Sequence, residues 1–139
     1  MSMNNGTLSF LDRYKSWTPY FLSLLRAVSG VLMMQHGLQK VFGLLGKEAV
    51  PSLASQAGVG GIIELTGGAL LLLGLFTRPV AFLLSGTMAV AYFQFHGPKG
   101  FWPVENGGEL AALYCFVYLF ISAAGAGPLS LDAVLKKEK

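Results

Sequence analysis

The sequence predicts an all-α fold, an integral membrane four-helix bundle with both termini in the cytoplasm. Hydrophobic residues make up 53% of the 139-residue chain, mean hydropathy is +0.57, and charged residues are only 12%, against roughly 25% in soluble domains. Four long apolar stretches fill most of the chain, and about 20 apolar residues suffice for a helix to cross a bilayer core. The 18 glycines suit helices that approach one another closely in lipid.

The first three helices are placed by the residues at their ends. The first is predicted over residues 19–41, where a proline suits the first turn and Trp17 and Tyr20 suit the membrane interface. The second is predicted over residues 59–76 and ends at the sequence Thr77, Arg78, Pro79. The third is predicted over residues 79–95. So short a turn between the second and third helices requires an antiparallel hairpin.

The fourth helix is predicted over residues 108–124, which divides the chain into three parts. A cytoplasmic segment, residues 1–17, precedes a transmembrane domain, residues 18–126, and a cytoplasmic tail follows over residues 127–139. The first apolar stretch is long enough to span, and no small-residue cleavage site follows a short apolar core, so we expect it to remain in the mature protein. The loop before the fourth helix combines glycines and prolines with Phe101 and Trp102, which predicts either interfacial anchoring or a lid.

Lysine and arginine residues outside the apolar stretches set the predicted orientation. With four spans, both termini lie on one side of the membrane. That side carries Arg13, Lys15, Arg78, Lys136, Lys137 and Lys139, whereas the other carries Lys40, Lys47 and Lys99. Because the more basic side faces the cytoplasm, we expect a multi-pass protein of the bacterial cytoplasmic membrane with its two longer loops outside.

The composition also argues against several functional classes. The net charge of +3 is spread over ends and loops without a basic stripe interleaved with aromatics, so no nucleic-acid partner is expected. The single cysteine, Cys115, excludes an internal disulfide and a cysteine-rich metal site. We read it as an apolar filler of the last helix. The sequence therefore predicts no metal site.

Charged residues inside or at the ends of apolar stretches are the main functional signal, because ionisable groups at membrane depth are costly. The predicted topology brings polar residues from all four helices to the outer side: Gln35, His36, Lys40, Glu64, Gln94, His96, Asn106 and Glu109. Arg26 lies deeper. We expect Arg26 and Glu64 to form a buried pair near mid-membrane, since an unpaired charge there is less plausible. Such a pair either fixes helix register or belongs to a polar pocket.

Helical spacing indicates which faces point inward. Gly60, Glu64 and Gly68 recur every four residues, so another helix can come close to the face that carries the carboxylate. A second stripe on the first helix consists of Arg26, Gly30, Met33, Gly37 and Lys40. A haem held between His36 and His96 is an alternative that the sequence does not favour, because no further haem signature is present and histidines near an interface more often bond to carboxylates or water.

Three separated motifs resemble the DoxX family of small bacterial four-helix membrane proteins, over about residues 18–126. The first is Arg26, Gly30, His36, Gly37, Lys40, Phe42 and Gly43; the second is Glu64, Gly67, Gly68, Gly74, Leu75, Thr77, Arg78 and Pro79; the third is Asn106, Gly107, Gly108 and Glu109. The resemblance implies a link to membrane redox chemistry, since some relatives are subunits of thiosulfate:quinone oxidoreductases and others belong to oxidative-stress or quinone-resistance systems. No cofactor follows from the sequence itself.

Three functional hypotheses follow from the residues and the resemblance together. In the first, Glu64, Glu109 and His36 bind or protonate a quinone, Arg26 tunes Glu64, and the pocket lies under the loop of Phe101 and Trp102. Further predicted ligand-binding residues are Gln35, Lys40, His96, Trp102 and Asn106. In the second, the chain is a non-catalytic scaffold that docks a protein partner. In the third, it is a small transporter or a channel built as a homo-oligomer. The lipid bilayer is a partner in each.

Overall fold

The computed structural model describes residues 5–137, and within that range every regular element is helical. The α-helices are α1 (Asn5–Lys15), α2 (Thr18–Phe42), α3 (Gln56–Leu73), α4 (Thr77–Ala91), α5 (Pro103–Asn106), α6 (Glu109–Ala124) and α7 (Leu131–Lys137). A π-helical turn, Tyr92–His96, and a 3₁₀ turn, Gly97–Lys99, follow α4 directly. The all-α prediction is therefore confirmed.

Two helical stretches in the described range are long and apolar enough to cross a membrane: Phe10–Phe42, which includes the junction of α1 and α2, and Gln56–Leu73. Glu109–Ala124 is a shorter apolar helix. Large apolar side chains cover the outside of the helices, with Phe82 66% exposed and Phe116 69% exposed. Such a surface is unfavourable in water and suits contact with lipid tails.

Helices α2 and α3 pack closely in antiparallel fashion through glycines. A Cβ atom added at Gly30 would lie 2.8 Å from the Gly68 carbonyl oxygen, and one added at Gly37 would lie 2.4 Å from the Leu65 backbone nitrogen. The predicted approach of another helix is confirmed at Gly68 and is wrong at Gly60, where an added Cβ atom would meet nothing within 4 Å. The predicted stripe on the first helix is confirmed as an inward face, since Arg26, Gly30, Met33 and Gly37 are all buried and Lys40 is partly buried.

Helices α4 and α6 form a second antiparallel pair. The Ser85 hydroxyl on α4 donates to the Cys115 carbonyl on α6 at 2.8 Å. The two pairs share one apolar core, which consists of Met33, Leu71, Ala81, Leu84, Met88, Tyr118 and Ile121. Tyr118, fully buried on α6, donates a hydrogen bond of 2.8 Å to the Ser29 carbonyl on α2. Cys115 is free and partly buried, in agreement with its predicted role as a filler.

The helix boundaries differ from the predicted ones in instructive ways. Helix α3 ends at Leu73 because Gly74 adopts the left-handed conformation (φ 68°), which favours glycine and commonly ends helices. Helix α4 begins at Thr77, two residues before the proline. The predicted third helix, residues 79–95, is α-helical only to Ala91 and then widens into the π turn. Helices α1, α5 and α7 were not predicted.

Candidate functional site

A cavity of about 310 Å³ lies between α3 and α4, at the ends of these helices that are far from their connecting turn. Its walls come from α2, α3, α4 and the π turn. The lining residues are Lys40, Gln56, Ala57, Gly60, Glu64, Thr87, Val90, Ala91, Phe95 and His96. Gly60 leaves room here, because a Cβ atom added to it would meet nothing within 4 Å. The cavity thus combines an acid, an amine, an imidazole and apolar side chains.

An ion pair between Lys40 and Glu64 forms one wall of the cavity. The Lys40 Nζ lies 2.6 Å from the Glu64 Oε1, and the Glu64 side chain is 3% exposed whereas that of Lys40 is 35% exposed. The second carboxylate oxygen, Glu64 Oε2, is buried and has no hydrogen-bond partner within residues 5–137. An unpartnered buried carboxylate oxygen is costly, so the site favours a molecule that donates a hydrogen bond to it.

The predicted pairing of Arg26 with Glu64 is wrong. The Arg26 guanidinium instead donates hydrogen bonds to four backbone carbonyls: Leu71, Leu72 (2.8 Å), Ala126 (2.9 Å) and Leu129. Arg26 is 2% exposed. The carbonyls of Leu71 and Leu72 belong to the last turn of α3, where helix carbonyls lack partners within the helix, although Leu71 also accepts from the Gly74 amide at 3.1 Å. Helix ends carry partial negative charge, which favours a guanidinium there, and within the described residues no carboxylate forms an ion pair with Arg26.

Near Arg26, a carboxylate caps the next helix. Asp132 accepts hydrogen bonds of 2.9 Å from the backbone amides of Phe76 and Thr77 at the start of α4. Burial raises the pKa of Asp132, but the hydrogen bonds from Thr77 and Phe76 and the charge of Lys136 outweigh it, so the pKa lies below its ordinary value. Because the Asp132 backbone amide also donates to the Gly74 carbonyl at 2.9 Å, this residue connects the end of α3 with the start of α4.

The π turn brings His96 to the cavity. The His96 Nδ1 lies 3.2 Å from the Asn106 carbonyl oxygen, and a carbonyl only accepts, so Nδ1 carries the proton. In the neutral ring, Nε2 is then an acceptor. Asn106 is 4% exposed; its amide donates to the Gly100 carbonyl at 2.9 Å and accepts from the Gly108 amide at 2.8 Å. Asn106 thus holds the loop that positions His96.

Only some of the residues that the sequence predicted for one pocket lie together. Lys40, Glu64 and His96 line the cavity. Gln35, His36 and Glu109 are exposed and do not line it. The prediction that Phe101 and Trp102 cover the pocket is wrong: they are 81% and 60% exposed and pack edge to face on each other, with ring centroids 5.0 Å apart. The predicted roles in binding and catalysis stay predictions.

Six cavity residues were not singled out from the sequence: Gln56, Ala57, Thr87, Val90, Ala91 and Phe95. Gln56 donates a hydrogen bond to the side-chain oxygen of Gln94. Thr87 bonds back to the Leu83 carbonyl at 2.9 Å in its own helix. A polar residue about three turns into an apolar helix was the available signal for Thr87. No feature of the sequence pointed to Phe95, because the direction of its side chain depends on the wider π turn.

Comparisons with known proteins place the chain among membrane proteins. The DoxX family profile matches residues 21–97. An uncharacterized protein of Haemophilus influenzae is 43% identical over 94% of this chain and 96% of its own length. CatD of Bacillus subtilis, named as a candidate oxidoreductase, is 31% identical over 84% of this chain and 87% of its own length. An uncharacterized membrane protein of Mycobacterium tuberculosis is 26% identical over 81% of this chain and 80% of its own length. No solved structure matches the chain.

Proposed function

The chain belongs to the DoxX family of membrane proteins, and we propose that it acts in a membrane redox system at the level of quinones, as a subunit or accessory. Its own contribution is to bind a quinone head group in the cavity between α3 and α4 and to supply hydrogen-bonding and proton-transferring groups there. The name of the CatD relative, a candidate oxidoreductase, supports the redox assignment. Electrons are supplied by a partner subunit.

The observation that carries this proposal is the buried Glu64 carboxylate beside a cavity, with Oε2 unpartnered within the described residues. Reduction of a quinone to a quinol takes up two electrons and two protons. A quinol hydroxyl donates to a carboxylate oxygen, and the Lys40 ammonium and a protonated His96 donate to a quinone oxygen. The apolar lining from Val90, Ala91 and Phe95 suits a ring with an apolar body.

The arrangement in the membrane belongs to the same proposal. Helices α2, α3, α4 and α6 cross the bilayer as a four-helix bundle, with a membrane domain over residues 18–126 and cytoplasmic segments over residues 1–17 and 127–139, in the bacterial cytoplasmic membrane. The cavity then lies in the outer leaflet, open to lipid-soluble molecules between α3 and α4. A reporter fused after Lys139 should be active in the cytoplasm. If the reporter lies outside the cell, the chain has the opposite orientation and the cavity lies in the inner leaflet.

Quinone titration of the full chain in lipid nanodiscs tests the proposed function. Short-chain ubiquinone and menaquinone analogues should bind saturably to the wild type. Glu64→Gln keeps the shape of the side chain but removes the carboxylate, and should weaken binding by about tenfold, as expected for one charge-assisted hydrogen bond. Glu109→Gln makes the same change at an exposed carboxylate outside the cavity and should leave binding unchanged. Folded wild type without saturable binding contradicts the proposal.

A non-catalytic scaffold is the second candidate, and the exposed pair of Phe101 and Trp102 favours it. Both rings project from the loop between the π turn and α6 while 81% and 60% exposed, and aromatic side chains are common anchors in protein interfaces. In that case Phe101→Ala with Trp102→Ala should abolish capture of a partner in mild detergent and leave quinone binding untouched. Loss of quinone binding on the same change would argue against a pure docking role.

A further inference from the structure

The His96 ring is held by residues that lie outside the cavity. His96 lines the cavity between α3 and α4, whereas Tyr92 and Asn106, which contact its ring, do not. Among the described residues, the structure records a hydrogen bond for Nδ1, to the Asn106 carbonyl, and none for Nε2. Nε2 is therefore the ring nitrogen left for a ligand, and the residues that hold the ring decide what Nε2 presents to it.

Tyr92 packs against the His96 ring. Tyr92 begins the π turn and His96 ends it, and side chains four residues apart on a helix are neighbours. Their ring centroids are 6.4 Å apart and their planes are inclined by 26°, within the range of offset-stacked aromatic pairs. The Tyr92 hydroxyl accepts from the Asn106 side-chain amide and donates to the Phe101 carbonyl, each at 3.4 Å. Tyr92 thereby connects the histidine to the loop before α6.

Asn106 is fixed by its own side chain. Its amide nitrogen donates to the Gly100 carbonyl at 2.9 Å, and its side-chain oxygen accepts from the Gly108 amide at 2.8 Å. The residue is buried, so both side-chain groups are used within the loop. The backbone carbonyl that faces His96 Nδ1 is consequently held in one place. Asn106 can act on the cavity through His96 without contacting a ligand.

Gly108, which precedes α6, packs against both of these residues. It is buried, and an added Cβ atom would lie 2.7 Å from Asn106 Oδ1 and 2.7 Å from Tyr92 Cε2. Its backbone conformation, with φ −96°, is open to other residues, so the restriction is one of space. An alanine here would push Tyr92 and Asn106 apart without removing a hydrogen-bonding group.

The tautomer of His96 decides which form of a quinone this residue favours. With its proton on Nδ1, the neutral ring presents an acceptor at Nε2; with its proton on Nε2, it presents a donor there. A quinol carries hydroxyl groups that donate, whereas the oxygens of a quinone only accept. The tautomer that the Asn106 carbonyl selects therefore matches the quinol.

We propose that Tyr92, Asn106 and Gly108 are positioning residues that keep the proton of His96 on Nδ1, so that the cavity binds a quinol more tightly than the corresponding quinone. This inference rests on the proposed function and adds a preference for the reduced form. The Glu64 carboxylate acts in the same direction, because an ionised carboxylate only accepts hydrogen bonds. The Lys40 ammonium can donate to an oxygen of either form, so both forms bind.

The tautomer is measured first, without a ligand, by nitrogen NMR of the full chain with isotope-labelled histidine in nanodiscs. The chain has two histidines, so a His36→Ala background leaves the signals of His96 alone. At a pH where the ring is neutral, Nδ1 should be protonated and Nε2 unprotonated. Gly108→Ala and Tyr92→Leu should move the signals toward the other tautomer. Gly86→Ala is the matched control, because this glycine of α4 is exposed and an added Cβ atom meets nothing within 4 Å.

Titration with a short-chain quinone, and separately with its quinol under reducing conditions, measures the preference. The wild type should bind the quinol about tenfold more tightly, and Gly108→Ala and Tyr92→Leu should lower that ratio to about threefold or less. General damage to the cavity would weaken both forms alike and leave the ratio unchanged. Tyr92→Phe keeps the ring and removes the hydroxyl, so it should act in the same direction and provides the test if the larger changes prevent folding. Tyr20→Phe, at an exposed tyrosine of α2, is its control.

Three results would overturn the proposal: a wild-type His96 with its proton on Nε2, equal wild-type affinity for quinol and quinone, or folded variants that keep the wild-type tautomer and ratio. The proposed function survives each of them as long as either form binds saturably. A folded wild type that binds neither form contradicts the proposed function and the preference together. A lowered ratio with an altered tautomer, absent from the controls, supports the positioning roles.

Discussion

The two ends of the helix assembly use buried charge in opposite ways. At the turn between α3 and α4, Arg26 donates to four carbonyls and Asp132 accepts from two amides, so the charged groups complete the ends of helices. At the other end, Lys40 and Glu64 form a single ion pair, and Glu64 Oε2 has no partner within residues 5–137. Arg26 and Asp132 thus form hydrogen bonds with backbone groups, whereas Glu64 keeps one oxygen atom without a hydrogen bond beside a cavity.

The contrast between the two ends shows that burial of a charge does not by itself indicate function. Arg26 and Glu64 are both 2% exposed, yet only Glu64 lies beside space that a ligand can occupy. A charge whose bonds all go to backbone groups is explained by stability. A charge with an unpartnered atom at a cavity requires a further explanation, which the proposed ligand supplies.

The largest expected effect is on stability, from Arg26→Leu. The change removes the guanidinium donor from carbonyls at the end of α3 and in the segment 126–129, and we expect a loss of at least about 3 kcal/mol in the free energy of unfolding. Arg13→Leu, at an exposed arginine of α1, is the matched control and should have little effect. Thermal unfolding in detergent measures both, and equal stability of the two variants would refute the capping role.

A double-mutant cycle between Lys40 and Glu64 should show the next largest effect. Lys40→Met leaves a buried carboxylate without its cation and should cost about 1–3 kcal/mol, a range that allows for the partial exposure of Lys40. Adding Glu64→Gln should restore part of that loss, with a coupling of about 1 kcal/mol. The corresponding cycle between Arg26 and Glu64 should be additive. If the cycle between Arg26 and Glu64 shows coupling and the cycle between Lys40 and Glu64 shows none, Glu64 pairs with Arg26, as the sequence predicted, and not with Lys40.

Asp132 should give a smaller, pH-dependent effect. Its pKa is lowered in the folded protein, so it contributes stability above its unfolded pKa, and this contribution is lost as the pH falls through the lowered folded pKa. Asp132→Asn should cost about 1 kcal/mol at neutral pH and should remove this part of the acid dependence. Unfolding followed from about pH 6 down to about pH 2 tests it, with the exposed Asp12→Asn as control. If Asp132→Asn loses stability at low pH in the same way as the wild type, the hydrogen bonds of Asp132 at the start of α4 are not the cause of this acid dependence.

The smallest effect is expected from His36→Ala. His36 is exposed on α2 and does not line the cavity, so we expect stability to change by no more than about 0.5 kcal/mol and quinone binding to persist. His96→Ala, which alters the cavity wall, should weaken quinone binding. If His36→Ala weakens binding as strongly as His96→Ala, the ligand extends beyond the cavity toward α2.

Much of the fold was predictable, because its determinants are local. The apolar stretches predicted the four long helices, and the spacing of Gly30, Met33 and Gly37 predicted the inward face of α2, since both signals depend only on composition and helical period. Helices α1 and α7 were missed because they lie outside the apolar stretches. The π turn was missed because one extra residue in a turn leaves no periodic signature.

The candidate site was predicted only in part, and the reason is geometric. The sequence determined which residues are costly to bury, namely Arg26, Glu64 and Lys40, because that cost is a property of the side chain and of its apolar neighbours. It did not determine their partners. These partners follow from the packing of the helices, in which Arg26 meets the end of α3 and Glu64 meets Lys40, because helix ends offer backbone carbonyls that no side-chain pattern reveals.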